Sequence, residues 1–457
     1  MTSPASRSLH RILGLGFGLA LAFGTTVGVG ILRLPGVVAA ALGDRALIIV
    51  FWCLGGLYAL MGAVAVAELA AMIPETGGFR VYARRAFGDG VGFVVGWCDW
   101  LTNVASLAYV AITTVTFLGI LWPAATAIPR VLAVAVLALF TGIHWMGLRL
   151  GSSLTAIISV SIALMLMVLV VCCFLVAPAA GVTAAPPAHT AASLPWISMA
   201  MLFAVVPALR AILTAFDGWY APIYMAEEST EPARNLPRAI IGGALLIASL
   251  YLLINLAFLR ALPVPALAAS ALPAADAARA VFSKGGATLV TVISLFTLLS
   301  LLNNILLETP RVLFAIGRDG LFTDKAALVS EGGTPRIALA LTSASVALVI
   351  LTGTFEQVIA LYAVLFLFSY VSAFLAVFVL RYREPTLPRP YKAFGYPFST
   401  AIVLAGSLAF LVAAVVEDPR SGLIAAAFLG MCAPVYAWLA RGRRLRMQVP
   451  VARAAAS

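Results

Sequence analysis

The chain has 457 residues, of which 63% are hydrophobic and 10% charged, with a mean hydropathy of +1.07. This composition excludes an ordinary soluble globular protein and places the chain in lipid. The net charge of +11 is spread over many short loops, with no basic patch interleaved with aromatic residues, so it points to membrane topology and not to nucleic acid.

Apolar runs of about 20 residues or more, separated by short charged or Pro/Gly-rich loops, predict an all-α polytopic membrane protein. A transmembrane barrel would need alternating polarity, which does not dominate here. Twelve helices are expected in chain order, at 12–42, 46–72, 91–119, 130–147, 153–177, 196–226, 237–261, 285–315, 337–354, 357–380, 398–416 and 421–440. Arg7, His10 and Arg11 precede the first, but no small-residue cleavage site follows, so it reads as a span and not a signal peptide. The first and sixth runs are too long and too interrupted to be straight spans.

An even number of spans puts both termini on one side, and placing that side in the cytoplasm leaves 21 basic residues inside and 6 outside, with Arg33 and Arg210 within spans. The linker-like stretch 178–195 then lies outside and is too short for a domain, so residues 1–457 form one membrane domain. Arginine outnumbers lysine 26 to 3, in keeping with a bacterial source and hence the inner membrane. Cys53, Cys98, Cys172, Cys173 and Cys432 all fall in apolar runs and are expected to be buried thiols, with no disulfide framework and no metal site.

The first span contains Gly24-Thr25-Thr26-Val27-Gly28-Val29-Gly30, then Pro35-Gly36. Glycines so spaced weaken a helix repeatedly within two turns. Unpaired backbone survives in lipid only where it is buried in protein or lines a polar cavity. There the N-terminus of the following half-helix offers free N–H groups to an anion such as a carboxylate; alternatively, the glycines serve close helix packing. The sixth span has a matching irregularity, Phe216-Asp217-Gly218-Trp219-Tyr220-Ala221-Pro222, and closes on Glu227 and Glu228 beside Arg234 and Arg238, a cytoplasmic-edge charge cluster. Two interrupted spans at corresponding places in successive sets of five point to inverted repeats with a midplane site.

Asp217 and Arg33 are expensive residues in a membrane: they pair with one another, or Arg33 snorkels outward, or they serve function, Asp217 by attracting an amine or carrying a proton. Glu68, Asp99, Arg210 and Glu308 read as interhelical hydrogen-bond partners or near-interface residues. His144 and His189 lack the spacing for metal or catalysis. Ser159, Ser161, Ser300 and Asn303 offer oxygens for a cation, although hydroxyls on apolar helices more often satisfy a backbone carbonyl. No nucleotide loop, His-Glu-x-x-His or Gly-x-Ser-x-Gly element is present, so an ATP-driven pump and an intramembrane enzyme are disfavoured and no cofactor is called for.

Five stretches in order resemble the amino acid–polyamine–organocation (APC) permease superfamily. They are the first-span GTTVGVGILRLPG from Gly24, Ala67-Glu68-Leu69 with Ile73-Pro74-Glu75-Thr76-Gly77-Gly78, and Phe216 through Glu228 to Arg234-Asn235-Leu236-Pro237-Arg238. The others are Arg311 with Gly317-Arg318-Asp319-Gly320 and Gly333-Thr334-Pro335, and Arg389-Pro390-Tyr391-Lys392 with Gly395-Tyr396-Pro397. The resemblance implies the leucine-transporter (LeuT) fold, with five-helix repeats at 1–177 and 194–380, two further helices at 398–440 and a basic cytoplasmic tail at 441–457. It implies a secondary transporter that moves amino acids by alternating access, with an amine or polyamine transporter or exchanger, or a non-transporting sensor, as alternatives. Carried over by motif, the substrate carboxylate meets Thr26, Gly28, Val29 and Gly30, the amine meets Phe216, Asp217 and Gly218, and Trp219 lies beside the substrate. The fifth span lacks the lysine that in some relatives replaces a sodium ion, so the coupling partner, whether proton, sodium ion or counter-substrate, is left open.

Overall fold

The computed structural model describes residues 8–175, 199–282 and 285–454. The loop 178–195 and His189 lie outside the described residues. All regular elements among the described residues are helical, and an isolated bridge joins Leu13 to Ser229. The first expected span is two helices, α1 (Leu15–Thr26) and α2 (Val29–Leu42), bent by 48° at the predicted glycine break.

The chain continues through α3 (Arg45–Met72), the short α4 (Phe79–Phe87), α5 (Asp89–Leu121), α6 (Pro129–Met146) and α7 (Leu148–Leu175). Asp44 caps α3 by accepting from the Leu47 N–H at 2.9 Å. Next, α8 (Met199–Ala215) unwinds at Phe216 and leads through turns to a 3-10 segment, Ala221–Glu228. Then follow α9 (Pro232–Ala261), the short α10 (Val264–Ala269) and α11 (Pro273–Phe282), α12 (Gly286–Arg318), α13 (Arg336–Thr352), α14 (Phe355–Arg383), α15 (Phe398–Glu417) and α16 (Pro419–Ala454). Because α16 runs to Ala454, most of the expected tail is helical.

Nine helices among the described residues are long and apolar enough to cross a membrane, ten with the bent α1–α2 pair taken as one span, while Val205–Ala215 and α13 are shorter apolar helices. This is a multi-pass membrane protein. Its burial follows from lipid as solvent: α12 has 67% of its apolar window inside the protein, whereas α16 has 11% and presents Leu423, Met431 and Trp438 outward. The bent pair packs on α8 and on the 3-10 segment, α3 on α9, α5 on α12, and α6 on α13.

The cysteines depart from expectation in part. Cys98, Cys173 and Cys432 are buried and all five are free, but Cys53 is exposed and Cys172 half-buried. An apolar run in a membrane has a lipid face as well as a protein face, and hydropathy alone does not separate them.

Candidate functional site

The two interrupted spans meet. Gly218 has φ +119°, a region L side chains rarely adopt, and a Cβ added there would fall 2.7 Å from the Thr25 carbonyl oxygen and 2.9 Å from the Thr26 nitrogen. Glycine is therefore required twice at this position, for its backbone angle and for close approach. A single hydroxyl, that of Tyr251 on α9, lies 3.0 Å from both the Thr26 and the Ala215 carbonyl oxygens. These are the final residues of α1 and α8, whose carbonyls have lost their helical partners. Tyr251 has one proton, so the two helix ends share it.

On the first-span side, Thr26 spends its hydroxyl on the Ala22 carbonyl at 2.8 Å. Gly28 is the N-cap of α2 with extended backbone, and Val29 and Gly30 open the first turn, half-buried, where N–H groups have no intrahelical acceptor. The expected carboxylate residues thus gather at one helix N-terminus. A Cβ at Gly28 would fall 2.8 Å from Leu301 of α12.

On the sixth-span side, Phe216 is buried against Trp52 and Tyr251, with ring centroids 5.9 and 5.0 Å away. Trp219 is buried and stacks on Tyr370 at 6.0 Å and 10°. The half-buried Asp217 accepts hydrogen bonds from Tyr362 at 3.0 Å and Tyr370 at 2.9 Å, both on α14. Of the alternatives for Asp217 and Arg33, the salt bridge is not formed: phenolic hydroxyls hold the acid, and Arg33 is exposed on α2, the outward-turned alternative. A long cation on the lipid-facing side of a helix is cheaper than one turned into the bundle.

The charge cluster expected where the sixth segment ends also has different members. Glu227 pairs with Arg318 at 2.8 Å and accepts from the Thr76 N–H at 2.9 Å, and Glu228 pairs with Arg311 at 3.0 Å with both side chains fully buried. Arg234 lies beside Glu231 at 3.6 Å instead. The 3-10 segment turns its acids toward α12 and away from the start of α9, which adjacency in sequence does not foretell. The Glu228 carbonyl accepts from the N–H groups of Ile12 and Leu13, at 3.0 and 2.9 Å, so the sixth segment is sewn to the approach to α1. Asp319, past the end of α12, is engaged by Arg80 and by Arg84 at 2.6 Å. Burial works against its charge, but the two guanidinium groups outweigh that and hold its carboxyl below the usual carboxylate range.

The remaining intramembrane polar residues sort cleanly. Glu68 takes Arg381 at 2.6 Å and the Ala393 N–H at 2.6 Å, Arg210 pairs with Glu417, and Asp99 accepts from Tyr224 at 2.6 Å. His144 is buried with Nε2 3.1 Å from the Asn303 carbonyl oxygen. Of the four candidate cation oxygens, Ser159 and Ser300 come together around Gly24 with Asn304, and Ser159 donates to the Ala20 carbonyl at 2.8 Å. Ser161 bonds within its own helix, and Asn303 turns to Thr155.

Tyr251, Tyr362 and Tyr370 escaped the sequence reading because a tyrosine in an apolar helix carries no signal of its own. The spacing of eight between Tyr362 and Tyr370, about two turns on one helix, was the only hint.

A polytopic helical protein in which two interrupted segments close on one another stands, by the similarities that follow, among membrane transporters and not enzymes. The family model described as "Amino acid permease" matches residues 18–436, and the chain belongs to that family, within the APC superfamily. It is 28% identical to the serine/threonine exchanger SteT of Bacillus subtilis (strain 168) over 428 residues, 90% of this chain and 93% of the relative. It is also 24% identical to the b(0,+)-type amino acid transporter 1 of Mus musculus, covering 92% of this chain and 85% of that one. The Asc-type amino acid transporter 1 of Mus musculus is 26% identical over 84% of this chain and 73% of its own length.

Proposed function

We propose that this protein is an amino acid permease that works by alternating access, exchanging small amino acids across a bacterial inner membrane. The observation that carries the reading is the contact of the two breaks, Gly218 against Thr25 and Thr26 with Tyr251 shared between them. At such a junction the N–H groups of Gly28, Val29 and Gly30, with Thr26 beside them, hold the substrate carboxylate. The carbonyls of Phe216, Asp217 and Gly218, with the Asp217 carboxylate beside them, hold the amine, and Trp219 closes one wall. The names of the relatives direct the first choice of substrate to serine and threonine.

The architecture we propose is twelve spans, counting α8 and α13 with the ten, arranged as two inverted five-helix repeats (1–177 and 194–380) with two added helices (398–440). Its support is the pairwise packing of the bent pair with α8, α3 with α9, α5 with α12 and α6 with α13, which brings first to sixth, second to seventh, third to eighth and fourth to ninth. Both termini, with the basic segment 441–457, lie in the cytoplasm. A cysteine replacing Ala327 is then shielded from an impermeant thiol reagent applied to whole cells, and labelling there overturns the orientation.

The experiment for function is uptake of radiolabelled L-serine into proteoliposomes preloaded with unlabelled L-serine or L-threonine. Preloading accelerates uptake in the native protein, and Gly28→Leu, which drives a side chain into Leu301, abolishes it while the protein remains folded. No uptake of any amino acid by the native protein overturns the reading. A second reading, transport of an amine or polyamine, is favoured by one feature, a carboxylate at the break held by hydroxyls and not by a cation.

A further inference from the structure

Glu308 sits on α12 with 2% of its surface exposed, and its Oε1 accepts one hydrogen bond, from the Thr25 hydroxyl at 3.0 Å. Thr25 is the penultimate residue of α1, and its carbonyl is the one that Gly218 meets. The nearest cation along the helix, Arg311, is spent on Glu228 at 3.0 Å and on the Leu307 carbonyl at 2.7 Å.

Among the described residues, the groups facing Glu308 from the surrounding elements do not supply another cation. On α5 stands Asp99, whose Oδ2 is buried without a hydrogen-bond partner. On the sixth segment stand Asp217, Tyr224 and the paired Glu228, and on α6 His144, bound to the Asn303 carbonyl. Arg33 on α2 and Arg149 on α7 are exposed. Arg279 on α11 pairs with Asp276, and Arg336 on α13 bonds the Trp145 carbonyl. Asp324 and Lys325, beside the cytoplasmic end of α12, are exposed.

We infer that Glu308 is a proton-binding site coupled to substrate, taking up a proton from the cytoplasmic or external solution when an amino acid occupies the break. The inference rests on the site proposed above. A buried carboxylate with one hydroxyl for company is costly as an anion. The proposed site parts the two charges of an amino acid: the ammonium is met by Asp217 and the sixth-break carbonyls, and the carboxylate comes to the first break, to which Thr25 belongs, where like charges confined together favour the form in which one is neutral. The proton goes onto the carboxylate oxygen and leaves it when the substrate leaves; no bond to substrate forms. Thr25 is the mechanical link, since its hydroxyl reads Glu308 while its backbone belongs to the break.

The test is calorimetry of L-serine and L-threonine binding to the purified full-length protein in buffers of different ionisation enthalpy, which counts protons taken up per ligand bound. The native protein takes up close to one proton per substrate at a pH where free carboxylates are ionised. Glu308→Gln binds with that uptake lost, and Glu308→Asp, which keeps an acid at the site and guards against a misfolded amide variant, retains it. Native binding with no proton uptake overturns the inference, as does uptake that persists in Glu308→Gln. Uptake that vanishes in Asp217→Asn while that variant still binds transfers the role to Asp217 and equally overturns it. Absence of any amino acid binding, by contrast, defeats the transport reading itself, and the inference falls with it.

Discussion

The two interruptions solve the same problem with different means. The first resumes as a regular helix, α2, and works with backbone: extended Gly28 and a half-buried first turn free of charged residues. The sixth does not resume as an α-helix, and its 3-10 segment cannot present an extended helix dipole. It relies on side chains, an aspartate braced by two tyrosines and a wall of Phe216, Trp219 and Tyr370. In the proposed site the helix end meets the substrate anion, and the cation is left to carbonyls and a carboxylate. Tyr251 ties the two together.

The largest effect is expected from breaking the contact between them. Gly218→Ala forces a side chain into the left-handed region, costing about 1–3 kcal/mol, and drives its Cβ against the Thr25 carbonyl. Exchange in proteoliposomes falls to background, and normal exchange by this variant removes the shared junction as the working site.

Next comes the anchor of the sixth segment. Arg311→Met leaves Glu228 buried without its partner, a loss of about 3–5 kcal/mol. Thermal unfolding followed by size-exclusion in detergent shows a markedly lower transition, and an unchanged one means that the pair contributes nothing to holding that segment.

Asp217→Asn keeps size while removing charge, and sharpens the contrast between a backbone site and a side-chain site. Binding of amine-bearing substrates weakens roughly ten- to hundredfold, the worth of a hydrogen bond to a charged group. Unchanged affinity reduces Asp217 to a brace for α14.

The smallest effect is expected from Tyr251→Phe, which removes one shared proton and costs about 1 kcal/mol. Because both helix ends lose the same donor, a carboxylate-only ligand and an amine-only ligand weaken together. Weakening of one alone separates the two breaks.

Composition and hydropathy were enough to place this chain in a membrane, because apolar runs of spanning length have few other homes. The glycines of the first break and the Asp217-Gly218 step of the sixth were equally plain, since irregular backbone needs residues that permit it. Partners were not. Glu228 looked toward Arg234 in sequence but found Arg311, sequence left open whether Arg33 pairs with Asp217 or turns outward as it does, and three tyrosines with no motif of their own hold the junction. Sequence determines which residues lipid will tolerate and where a helix must break, because these are properties of a segment and its solvent. Which donor meets which acceptor is decided by the packing of α9, α12 and α14 around the breaks, because a hydrogen bond depends on positions a few ångströms apart that the chain brings together from hundreds of residues away.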